Sequence, residues 1–141
     1  MKRFVRLVCV LVVFSVLIAI PAYAEEQSTR ASSFFSAYRA YCTKTSTTSL
    51  SVYFQVIGVG IMDELGASQI KVQKSSDGEN WTTVKTFSKA SNSGLIDDDT
   101  GYHSATVSCT ISSGYYYRAV VTLYGKNSAG TGYKTYYTAK V

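Results

Sequence analysis

Leu50, Val52, Phe54 and Val56 alternate with Ser51, Tyr53 and Gln55, and this strict period of two restricts the chain more than any other feature. Successive side chains of a strand point to opposite faces, whereas a helix with the same pattern would scatter its apolar residues around the whole cylinder. The pattern recurs where Ala105, Val107, Cys109 and Ile111 oppose Ser104, Thr106, Ser108 and Thr110. It returns where Tyr115, Tyr117, Ala119, Val121 and Leu123 oppose Tyr116, Arg118, Val120, Thr122 and Tyr124. A last run sets Tyr133, Thr135, Tyr137 and Ala139 against Lys134, Tyr136, Thr138 and Lys140. Clusters of Gly, Asn, Asp and Ser separate the runs about every ten residues, the spacing of a sandwich or barrel. Strands are expected near 34–42, 49–59, 68–75, 81–88, 103–111, 115–126 and 131–141. Seven such strands predict an all-β fold, a seven-stranded antiparallel β-sandwich over residues 34–141.

The first 24 residues do not belong to that pattern. Lys2, Arg3 and Arg6 precede an apolar run from Leu7 to Ile20, and Ala22-Tyr23-Ala24 follows. A basic start, a short apolar stretch and an A-x-A site describe a secretory signal peptide, and the run is too short for a membrane span of about 20 residues. Cleavage after Ala24 is expected, leaving a flexible polar arm at 25–33 and a protein that is secreted, free or loosely held on the cell envelope. Cys9 would leave with the leader.

Cleavage changes what the charge means. The full chain of 141 residues carries a net +5, from 14 Lys/Arg and 9 Asp/Glu. Removing three basic residues and no acidic ones leaves 11 against 9, a net charge of +2. That is no basic stripe of the kind nucleic acid requires, and once the leader is gone no membrane partner is expected either.

Two stretches carry a resemblance. Ser75-Ser76-Asp77-Gly78-Glu79-Asn80-Trp81-Thr82-Thr83-Val84 looks like the hairpin of secreted β-sandwich modules in which an Asp-Gly turn precedes a packed Trp. Tyr115-Tyr116-Tyr117-Arg118-Ala119 followed by Lys126-Asn127-Ser128-Ala129-Gly130 resembles the last hairpin of fibronectin type III domains. The resemblance implies a fibronectin type III or immunoglobulin-like sandwich, with Tyr115 as the tyrosine corner and Asn127 and Gly130 at the turn. Over 34–141 the chain also resembles a family of small secreted proteins of Gram-positive bacteria known only as a domain of unknown function. Tyr41-Cys42-Thr43-Lys44-Thr45, Gly60-Ile61-Met62-Asp63-Glu64-Leu65-Gly66-Ala67, the Asp-Gly-x-x-Trp hairpin and the Tyr-rich end carry it. It implies secretion and a sandwich, and no activity.

Several polar residues have chemistry of their own beside a structural role. In an oxidising compartment Cys42 and Cys109 are an even pair able to form a disulfide. Equally, Cys109 sits at a core position, where a free thiol packs as a small hydrophobe. A catalytic cysteine would need His103 as its base, and the sequence supplies no third group to orient it. His103 therefore reads as a strand-end residue and Trp81 as a core or half-buried one. Asp97, Asp98 and Asp99 are weak candidates for a metal, since no distal ligand completes the set, and an acidic turn is the simpler reading. With Asp63 and Glu64, placed in a Gly-flanked loop, they are also the material for an acid–base pair. No cofactor is expected.

One surface stands out. Tyr116, Arg118, Tyr124, Lys134, Tyr136 and Lys140 are expected together on the outward face of the last two strands, joined by Lys71 from the third strand. Rings stack on sugar faces and cations pair with carboxylate or phosphate. The expected function is non-catalytic binding of a glycan, an anionic wall polymer or a protein outside the cell. An extracellular hydrolase using the Asp97–Asp99 loop and a structural or matrix subunit are the alternatives.

Overall fold

The computed structural model describes residues 33–141, so the expected leader, the cleavage point at Ala24 and the arm up to residue 32 lie outside the described residues. Six strands follow: β1 (Phe35–Ser46), β2 (Ser49–Ser75), β3 (Thr82–Ser88), β4 (Ile96–Thr110), β5 (Tyr116–Asn127) and β6 (Gly130–Tyr137). A short 3-10 turn, Ser93–Leu95, precedes β4. All pairings are antiparallel and join the strands into one curled sheet.

The class is all-β, as the alternation required, but there are six strands where seven were expected. The expected strands at 49–59 and 68–75 are one strand of 27 residues, β2. The segment between them, read as a Gly-flanked loop, keeps its ladder instead. Met62, Glu64, Leu65 and Gly66 pair with Thr100, Asp98, Asp97 and Ile96 of β4, so Asp63 and Glu64 are strand residues. Glycines let β2 turn without breaking. Gly60 adopts φ +83, where an L side chain is strained. At Gly58 a Cβ would lie 2.6 Å from Cγ of Met62. Residues 58–61 bulge out between the pairs Ile57–Tyr102 and Met62–Thr100, and such an insertion bends a strand and increases its twist.

The bend gives β2 different neighbours along its length. Residues 49–57 run between β1 and β4, and residues 69–75 run between β5 and β3, with β6 beyond β5. Inward side chains of both halves meet in one core. Leu50, Val52, Phe54 and Val56 of the first half and Ile70 and Val72 of the second are at most 1% exposed. Tyr117, Ala119, Val121 and Leu123 of β5 join them. Truncating a side chain as enclosed as Phe54 to Ala would cost about 3–5 kcal/mol.

β1 crosses over β5 to close this core. The Cys42 thiol lies 3.3 Å from the Thr138 hydroxyl and 3.5 Å from the Ala139 carbonyl. Ring edges of Phe35 come so near Gly125 that a Cβ there would sit 2.9 Å from Phe35 Cε1. Close approach of this kind is what a strand glycine permits.

Two features of the β5–β6 region are set by the sequence, one of them at a different residue than expected. Asn127 pairs with Gly130, and Asn127 Oδ1 accepts the Ala129 N–H at 2.9 Å, which makes the tight turn. The tyrosine that bonds back to the chain is Tyr117, not Tyr115. Its buried hydroxyl accepts the Ser112 N–H at 2.9 Å and donates to the Ser112 carbonyl at 3.0 Å. Tyr115 lies before the strand begins and is half-buried. The corner needs an inward-pointing ring, and Tyr117 is the inward residue that pairs within the ladder.

The disulfide does not form. Cys42 and Cys109 are free thiols, paired with Val52 and Leu50 on opposite edges of β2. Two interstrand spacings of about 4.8 Å separate their strands, beyond the roughly 7 Å that a bridge tolerates between Cα atoms. Burial raises the pKa of both, so neither is an activated nucleophile.

Candidate functional site

The outer face of β5 and the second half of β2 begins at a rigid turn. Ser75, buried at the end of β2, donates its hydroxyl to Asp77 Oδ1 at 2.7 Å and accepts the Gly78 N–H at 2.8 Å. The same Asp77 carboxylate accepts N–H groups of Glu79 and Asn80 at 2.9 and 2.8 Å and the Asn80 amide at 2.6 Å. Bonds from the Asn80 backbone and side chain, with Glu79 and Ser75, hold the Asp77 carboxyl far below the usual carboxylate range. Gly78 occupies φ +78. The turn therefore delivers Trp81 in one orientation, and it fulfils the expected Asp-Gly hairpin.

Trp81 meets Arg118. The guanidinium carbon lies 4.3 Å from the indole centroid and 5.0 Å from the centroid of the Tyr137 ring. Arg118 Nε donates to Gln73 Oε1 at 2.9 Å, across the β2–β5 ladder where the two residues pair. Gln73 is held in turn by Thr83 at 3.4 Å. A guanidinium has five N–H donors, and only the Nε–H is used among the described residues. Ion pairs there join Lys89 and Lys126 to Glu64 and His103 to Asp97, and none includes Arg118. The result is a preoriented cation beside two rings, its outer N–H groups free to meet an anion.

The residues expected on this face divide. Tyr116 is exposed, with Lys140 Nζ 5.1 Å from its ring centroid, and Lys71 lies on the same face between Thr86 and Val120. The second half of β2 does neighbour β5, as the inclusion of Lys71 required. Tyr124 is on this face but buried, under Tyr133 and Lys89, with Lys89 Nζ 4.2 Å from its ring. Lys134 and Tyr136 point the other way. The pairs Val120–Tyr137 and Tyr124–Tyr133 put Tyr133 and Tyr137 outside, while Tyr136 turns inward to pack on Tyr38 at 5.8 Å and Lys134 lies over the same Tyr38 ring at 5.9 Å.

Tyr133 and Tyr137, expected in the opposite set, belong to this face, and Trp81, expected as a core or half-buried residue, is half-buried and lies over Arg118. The signal for Tyr137 was available. Asn127 paired with Gly130 across a two-residue turn fixes every later pair, and stepping outward along both strands puts Tyr137 opposite Val120. No comparable rule announces that the indole would lie over Arg118 rather than inside.

The other candidates do not assemble into a site. Asp97, Asp98 and Asp99 run along the start of β4, with Asp99 at φ +49, rather than lining a loop. Among the described residues no three His, Cys, Asp or Glu are grouped to hold a metal ion. Glu64 pairs across the ladder with Asp98, but its carboxylate is taken by Lys126 at 3.1 Å and Lys89 at 3.9 Å. Chiefly through the Lys126 hydrogen bond its pKa is lowered, which suits a fixed anion and not a proton donor. His103 is a mid-strand residue, its Nε2–H donating to the Gly94 carbonyl at 2.9 Å with Asp97 3.8 Å from Nδ1. A shallow cleft of about 410 Å³ opens between Ser91–Leu95 and Ala105–Val107, lined by amide, hydroxyl and apolar groups.

No helix among the described residues is long and apolar enough to cross a membrane. No family model, no curated protein and no solved structure matches the chain.

Proposed function

We propose that this chain is a secreted, non-catalytic binding module whose curled sheet acts as a fibronectin type III-like sandwich and holds an anionic polysaccharide on the Trp81–Arg118–Tyr137 face. The single observation that carries the reading is the Arg118 guanidinium, within 5.0 Å of two ring centroids and held by Gln73, with its remaining N–H groups uncommitted among the described residues. A planar cation of this kind takes a carboxylate or phosphate through two parallel hydrogen bonds. The flanking rings supply flat apolar area for sugar faces, Tyr137 being 57% exposed. Tyr116, Lys140 and Lys71 extend the surface with one more ring and two more cations. The sandwich reading is supported by β1 lying over β5, by the Tyr117–Ser112 corner and by the Asn127–Gly130 turn.

Isothermal titration with polygalacturonate, a poly(glycerol phosphate) polymer and neutral dextran tests this. Binding of at least one anionic polymer, tenfold or more weakened by Arg118→Ala and by Trp81→Ala, is the expected result. Tyr136→Ala, on the inner side of β6, leaves affinity unchanged provided the protein remains folded. Binding that survives loss of Arg118, or no binding to either anionic polymer, overturns the assignment.

A further inference from the structure

The other half of the sheet repeats the same device. On the outer face of β1 and the first half of β2, Arg39 pairs across the ladder with Gln55, and Arg39 Nε donates to Gln55 Oε1 at 2.9 Å. That is the arrangement and the distance of Arg118 and Gln73. Gln55 Oε1 also accepts the Tyr53 hydroxyl at 3.1 Å, so the amide is fixed from two sides. The Arg39 guanidinium carbon lies 5.9 Å from the Tyr53 ring centroid, and Tyr41 stacks on Tyr53 at 4.9 Å with ring planes 31° apart. Tyr41 is 51% exposed. Among the described residues Arg39 makes no ion pair. It too presents a preoriented cation beside rings, with N–H donors that no acceptor among the described residues uses.

The two devices lie on different strands, Arg39 on β1 beside the first half of β2 and Arg118 on β5 beside the second. Inward side chains of the first half, such as Cys42, reach the backbone of Tyr117 and Ala139 from the second. Arg39 and Arg118 belong to the outward sets of these two halves, whose inward sets share one core. Each device has its own guanidinium and its own rings, so each can dock its own polymer segment. Resting on the polysaccharide reading above, we infer that the Arg39–Tyr41–Tyr53 face is a second binding site for the same anionic class. One chain would thereby hold two polymer strands and cross-link them.

Valency separates this inference from the function it rests on. Short oligogalacturonate and oligo(glycerol phosphate) are titrated to obtain the stoichiometry, and long polymers of both are mixed with the protein to follow turbidity. Two ligands per chain are expected, falling to one in Arg39→Ala and in Arg118→Ala and to none in the double variant. Each single variant binds long polymer but no longer forms turbid networks with it. Tyr41→Ser serves as a second change to the new face, and circular dichroism and the thermal midpoint establish that each variant is folded. One ligand per chain, lost with Arg118 and indifferent to Arg39 and Tyr41, overturns the second site and leaves the first standing. Binding lost with Arg39 alone overturns the Trp81–Arg118 reading and the cross-linking together, and no binding by either oligomer refutes both.

Discussion

Removing one oxygen from Tyr117 tests whether this residue, and not Tyr115, ties the chain entering β5 to the core. Tyr117→Phe keeps the ring, which is 1% exposed, and so opens no cavity of consequence. It deletes two hydrogen bonds, at 2.9 and 3.0 Å, to the N–H and carbonyl of Ser112. Each is worth about 0.5–1.5 kcal/mol net, and Ser112 is exposed, so water replaces part of what is lost. A cost of about 2 kcal/mol follows. For a domain near 100 residues, about 4–8 °C of midpoint per kcal/mol translates this into a drop on the order of 10 °C. Urea unfolding and thermal melts followed by circular dichroism measure both quantities. Tyr115→Phe is the control, because its ring stays over Lys74 at 4.5 Å and its hydroxyl makes no hydrogen bond among the described residues. That change is expected to cost less than about 0.5 kcal/mol. Equal losses at the two positions, or a Tyr117→Phe protein as stable as wild type, would refute the reasoning.

Two further outcomes follow from the thiols and from the Glu64 ion pairs. Thiol titration of the non-reduced protein after unfolding is expected to count Cys42 and Cys109 as free, while in the folded state Cys42, 5% exposed, stays unreactive; a disulfide found by mass spectrometry would contradict the strand register. Glu64 has a pKa lowered from 4.5, first by the Lys126 hydrogen bond, so its contribution is present above the unfolded carboxyl's pKa and lost as pH falls through the folded one. Being partly exposed, it is worth less than about 1 kcal/mol. Comparing urea midpoints between about pH 6 and pH 3, Glu64→Gln should flatten the acid loss relative to wild type, and an unchanged slope would remove the pair from the acid response.

Period-two patterning made the all-β class and most of the inward residues legible, because it reports directly on which side of a strand a residue falls. Leu50 to Val56 and Tyr117 to Leu123 are buried as their alternation required. It says nothing about where a strand ends when glycines are used to bend it. Gly58, Gly60 and Gly66 look in sequence like the rim of a loop, and only the pairs that Gly58 makes with Phe35 and Gly66 with Ile96 and Tyr124 show that β2 continues past the bulge. The candidate face was half legible for a related reason. Tyr116, Arg118 and Lys71 follow from their own strands, whereas Lys140 lies beyond the end of β6. That strand has polar and aromatic residues on both sides, so its composition does not choose a face. The hairpin register chooses it, and the choice exchanges Tyr136 for Tyr137.

Strand β2 has one more consequence, for how the molecule opens. Its ladders join Ser49 to Thr110 and Ser75 to Tyr116, so both halves of the sheet are hydrogen-bonded to one continuous strand. Local opening in most proteins proceeds by units that detach separately. Here the strand common to both halves of the sheet ties them together, and the ladder-paired amides of residues 52–56 and 64–72 should exchange with a single free energy, that of global unfolding, while Gly60 and Ile61, which no ladder pairs, exchange sooner. Cleavage within the bulge at 58–61 would then abolish both halves at once instead of releasing a folded half.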